Sequence, residues 1–139
     1  MTRAARPLSA TAAVALALLL TGCTPSQTKP LEDYAGEPKG VEAPPSSAGG
    51  ASWATWLQDG DQFGIVLYGS STCPPKVQSI RVAQSNQVEA TLAPAPGGVC
   101  TKDYSPHTTV FATPKGVTIT SDVTIVLPSG DLTLPGLPG

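Results

Sequence analysis

The chain has 139 residues, with 8 Lys or Arg against 10 Asp or Glu, one histidine and only 13% charged side chains. Beyond residue 22 the balance is six basic to ten acidic side chains, a formal charge of −4. Nucleic-acid partners are met by a basic face, and this sequence has neither a Lys/Arg cluster nor aromatics set between basic residues, so no nucleic-acid partner is expected.

The first element is an export signal. Arg3 and Arg6 precede an apolar run over residues 8 to 20, broken only by Ser9 and Thr11. A basic start followed by such a run is the pattern of a secretory signal, and the run is shorter than the about 20 apolar residues of a membrane-spanning helix. It ends in Leu20-Thr21-Gly22-Cys23, which resembles the lipobox of bacterial lipoproteins. That resemblance implies that residues 1–22 are a removable lipoprotein signal peptide and that Cys23 carries lipid, palmitate included. Two or three acyl chains, at about 0.8 kcal/mol per buried CH₂, hold a protein to a bilayer for long times. The alternative is an ordinary secretory signal with a coincidental cysteine.

Residues 23–49 follow as a Pro/Gly/Ser-rich stretch in which Leu31, Tyr34 and Val41 are the only sizeable apolar groups. No period of 2 or 3.6 runs through it. Such a segment buries too little apolar surface to offset chain entropy, and the expectation is a disordered tether spanning roughly 30 Å.

Residues 50–139 read as one small all-β domain. Residues 51–57 fit a first strand or one helical turn, with the strand preferred. Over 62–68, Phe63, Ile65 and Leu67 share a face opposite Val66 and Tyr68. Over 78–83, Ile80 and Val82 point inward beside Arg81. Residues 87–92 alternate most cleanly, with Val88, Ala90 and Leu92 on one side, as a half-buried strand does. Gln84-Ser85-Asn86 suits the hairpin between those two. Four further strands are expected over 108–113, 117–120, 123–127 and 131–134, divided by Pro114-Lys115-Gly116 and Pro128-Ser129-Gly130. Six to eight short strands separated by Gly/Pro turns argue for a small antiparallel sandwich or barrel.

The stretch Tyr68-Gly69-Ser70-Ser71-Thr72-Cys73-Pro74-Pro75 gathers several nucleophile types at a corner. With Cys23 lipidated, Cys73 and Cys100 are the remaining thiols, and an exported small domain is expected to join them. Closing that loop is worth about 3.5 kcal/mol in the chain-entropy account. Pro74 and Pro75 donate no backbone hydrogen bond and stop the strand. A serine-hydrolase alternative would combine Ser70 or Ser71 with His107 and Asp103, but the segment lacks the second glycine and the following helix of a nucleophile elbow. No catalytic residue is therefore assigned. Asp59-Gly60-Asp61 lacks the loop length and closing glutamate of a calcium loop and reads as a turn. One histidine and two bonded cysteines make no zinc site, so neither a metal nor any other cofactor is expected.

Trp56, the Asp59 to Asp61 turn, Gly69 to Pro75, Cys100-Thr101-Lys102-Asp103-Tyr104-Ser105-Pro106, Pro114 to Val117 and Asp122-Val123-Thr124 together resemble a group of small lipoproteins of actinobacteria. That resemblance spans most of residues 51–139 and implies an address, the outer face of the cell membrane, and a disulfide. The group has no established activity, so no mechanism follows from it. The expected role is a lipid-anchored envelope protein whose non-catalytic β domain binds or supports a partner. Its binding rim would carry Tyr68, Ser70, Ser71, Thr72, Asp103, Tyr104 and His107, loops that the staple gathers. An inhibitor of secreted proteases, presenting residues 72–76, is a further alternative.

Overall fold

The computed structural model describes Met1 and residues 26–139. The signal segment and Cys23 lie outside the described residues. Among the described residues eight strands form two four-stranded sheets. They are β1 (Glu32–Ala35), β2 (Trp53–Leu57), β3 (Gln62–Gly69), β4 (Val77–Gln84), β5 (Gln87–Leu92), β6 (Ser105–Ala112), β7 (Val123–Val126) and β8 (Leu132–Leu134). The first sheet runs β1-β6-β3-β2 and is antiparallel throughout. The second runs β4-β5-β7-β8, and its β5–β7 pair is parallel. The fold is thus an all-β sandwich with one parallel pair in an otherwise antiparallel arrangement.

Strand alternation builds the core. Phe63, Ile65 and Leu67 of β3 face inward and meet Val77, Ile80, Val88, Ala90, Val123 and Ile125 of the second sheet. Phe63 lies opposite Phe111 in the β3–β6 register, and the rings stack with centroids 5.9 Å apart. Trp56 meets Phe63 edge-on at 6.1 Å. On the outer side of the second sheet Arg81 pairs with Glu89 across β4 and β5.

The segment expected as a tether is different from that expectation over its described part, residues 26–49. Thr28 and Ile80 exchange both backbone hydrogen bonds, at 2.8 and 3.0 Å, along the edge of β4. The chain then crosses to the other sheet, where β1 pairs with β6. The β4 edge is thereby met at one residue pair, and the first sheet ends in a strand of only four residues, a short edge of the kind that discourages further pairing. Residues 36–50 cover the outer face of the first sheet. Thr108 Oγ1 donates to the Gly36 carbonyl at 2.6 Å, Pro38 is buried against Gly64, and Ser47 is buried in a 3-10 turn. Beneath this strap lie Trp53, Val66 and Val110, at 4%, 0% and 2% exposure, a second small core on the reverse of the sheet. The folded unit therefore includes residues 26–49 and does not begin at residue 50.

One other expectation needs correction. Residues 117–120 form turns, not a strand. Asn86 holds them: its Oδ1 accepts from Thr118 N at 2.7 Å and its Nδ2 donates to the Thr118 carbonyl at 3.0 Å. Residues 51–57 resolve as β2 over Trp53–Leu57. The Asp59 turn and the hairpin at Ser85 fall where the sequence places them, with Asp59 and Asn86 at φ +54° and +52°.

Candidate functional site

Two loops, residues 70–76 between β3 and β4 and residues 93–104 between β5 and β6, meet at one end of the sandwich. Cys73 and Cys100 are disulfide-bonded across them, with Cα atoms 5.5 Å apart. The hydroxyls beside this bond converge on Thr101. Its Oγ1 lies 2.8 Å from Ser70 Oγ, 3.3 Å from Ser71 Oγ and 3.2 Å from Thr72 Oγ1, and its backbone N–H donates to Thr72 Oγ1 at 3.0 Å. Ser70 Oγ also accepts from Cys73 N at 3.3 Å. Asp103 receives hydrogen bonds from Ser71 N at 3.1 Å, from Thr101 Oγ1, and from Ser105 Oγ at 3.2 Å. Those donors, Ser71 foremost and then Thr101, hold its carboxyl well below the usual carboxylate range, because each stabilises the charged form.

Beside the hydroxyls, the rings of Tyr68 and Tyr104 stack with centroids 5.6 Å apart at 27°. Tyr104 is 64% exposed. Burial first, and then the hydrogen bond to the Glu37 carboxylate, raise the Tyr68 hydroxyl above its ordinary pKa. Gly50, at φ +87°, lies directly under Tyr104, where a Cβ would come within 2.4 Å of the ring. Six of the seven expected rim residues are thus gathered at this end: Tyr68, Ser70, Ser71, Thr72, Asp103 and Tyr104. The sequence reading omitted two contributors. Thr101 was visible in the Cys-Thr-x-Asp motif, while Gly50 carried no local signal.

His107 is not on the exposed rim but buried in the sheet below it. It stands in β6 between Ala35 of β1 and Leu67 of β3, 5% exposed. Its Nε2 is 2.9 Å from Asp33 Oδ1, which also accepts from Lys76 Nζ at 2.8 Å. Burial would raise the Asp33 carboxyl, but the hydrogen bonds from Lys76 and His107 outweigh it and leave the group below its ordinary pKa. Among the described residues neither Ser70 nor Ser71 is hydrogen-bonded to the imidazole. The acid nearest His107 is Asp33, a residue the hydrolase alternative did not name.

Two grooves flank β2 and meet at Trp56 and Leu137. One, about 810 Å³, lies between residues 32–41 and the β2–β3 turn. The other, about 600 Å³, runs between β2 and residues 131–137. Trp56 Nε1 donates to the Pro135 carbonyl at 2.7 Å and fixes the wall between them. Trp53 Nε1 is buried with no hydrogen-bond partner among the described residues. Among the described residues no three His, Cys, Asp or Glu side chains converge as a metal site, and no helix is long and apolar enough to cross a membrane.

No protein-family model, curated protein or solved structure matches this chain.

Proposed function

We propose that this chain is a lipid-anchored envelope protein, attached through Cys23 to the outer face of the cell membrane, whose β domain binds or supports a partner without performing catalysis. The observation that carries this reading is the rim. Two loops are joined by the Cys73–Cys100 bond, the stacked Tyr68–Tyr104 pair offers an exposed aromatic face, and the neighbouring hydroxyls and carboxylate are oriented by one another. A preordered surface of this kind binds with little loss of side-chain freedom. The engagement of His107 with Asp33 beneath β1 speaks for a structural role for the only imidazole.

The test is crosslinking in the native envelope followed by mass spectrometry, with Tyr104→Ala and Asp103→Ala variants beside the unaltered protein. Loss of one captured species in both variants is the expected result, whereas capture unaffected by either change overturns the rim assignment. Covalent labelling of Ser70 or Ser71 by a fluorophosphonate would instead establish the hydrolase alternative.

A further inference from the structure

We infer that the domain stands on a short leash, with its Gln84–Gln87 hairpin end toward the bilayer and its disulfide-held rim pointing away. The inference rests on the lipid-anchor reading of Cys23 and adds an orientation to it.

The geometry begins at Thr28. Its antiparallel pairing with Ile80 sends the chain, traced backward, along β4 toward Gln84. Ser26 therefore lies on the hairpin side of Thr28, away from Val77 and from the rim loop that precedes it. Three Cα steps separate Ser26 from Cys23 in the sequence, and even fully extended they span at most about 11 Å. From the level of Val82 back to Val77 is five strand residues, about 16 Å. The acylated residue consequently cannot rise to the height of the rim while Thr28 stays paired with Ile80 and residues 26–27 continue that antiparallel course along β4. The eight residues of β4 separate the two ends of the sandwich by about 26 Å. A tether of 27 free residues would have imposed no orientation at all.

Surface chemistry agrees with this placement. At the hairpin end Gln84, Ser85, Lys115 and Thr118 are exposed, polar side chains suited to a hydrated headgroup layer. Two of the large exposed apolar side chains, Val99 and Tyr104, sit on the rim loop, where a lipid surface is out of reach and a partner in the envelope space is not.

The experiment uses the full acylated chain in phosphatidylglycerol/phosphatidylethanolamine vesicles carrying an acceptor dye in the lipid. Ser85 and Lys102 are replaced in turn by an azide-bearing residue and coupled to a donor. Stronger energy transfer from position 85 than from position 102 is expected, and a flexible Gly/Ser insertion between Cys23 and Ser26 should abolish the difference. A protein that fails to float with the vesicles refutes the anchor and the orientation together. A protein that floats but transfers equally from both positions, or more from 102, refutes the orientation alone.

Discussion

Asp33 Oδ1 lies 2.9 Å from His107 Nε2, joining a four-residue edge strand to the centre of the first sheet. Lys76, just ahead of β4, reaches the same oxygen, so a single carboxylate ties β1 to both sheets.

Asp33→Asn keeps the shape and removes the charge. We expect a loss of about 1–2 kcal/mol, the worth of hydrogen bonds to a charged group reduced by partial exposure. Because the folded pKa lies below the unfolded value, this stability is present above the unfolded value, about 3.9, and is lost as the pH falls through the folded one. Urea midpoints of the two proteins should therefore differ most above about pH 5 and converge in acid.

Removing residues 26–49 distinguishes a strap from a tether. The strap covers Val66, Val110 and Trp53, and burial of three such side chains is worth about 4.5–9 kcal/mol. That is comparable with the whole stability of a small domain, about 5–15 kcal/mol. The shortened chain should lose its cooperative unfolding transition and its near-ultraviolet dichroism. A transition kept at the original midpoint would contradict the packing described.

The pair Cys73→Ser and Cys100→Ser opens a loop with a sequence separation of 27. A loss of about 2–4 kcal/mol is expected, read as a fall in melting temperature that reducing agent reproduces in the unaltered protein but not in the double variant.

Gly136→Ala and Gly97→Ala make a matched test of local space. A Cβ at 136 would lie 2.7 Å from the backbone of Thr120, whereas nothing lies within 4 Å at 97. Backbone cannot yield as a side chain does, so the first change should cost about 1–3 kcal/mol. The second should be neutral or stabilising by up to about 1 kcal/mol. Thermal melts of both variants check the contrast.

The core strands were legible because alternation over Phe63, Ile65 and Leu67, and over Val88, Ala90 and Leu92, reports one buried face directly. Glu32-Asp33-Tyr34-Ala35 carries no such signal, since an edge strand with a charged rim is specified by its partner and not by its own pattern. Val117 and Ile119 alternate as a strand would, yet Asn86, distant in sequence, claims the backbone around them. At the rim, the cysteines and the hydroxyl-rich motif marked the place. The burial of His107 was set by register with Ala35 and Leu67, information that no local segment contains.

The parallel pairing of β5 with β7 also dictates how this chain must acquire its shape. Between those neighbours the polypeptide leaves one sheet, threads β6 into the other between β1 and β3, and returns. The second sheet can then be completed only after the chain has left it for β6 and come back, and loop closure must be met early for contacts that arrive late, the circumstance in which β proteins fold slowly. Until β7 and β8 arrive, the β5 edge stays unpaired and is open to aggregation.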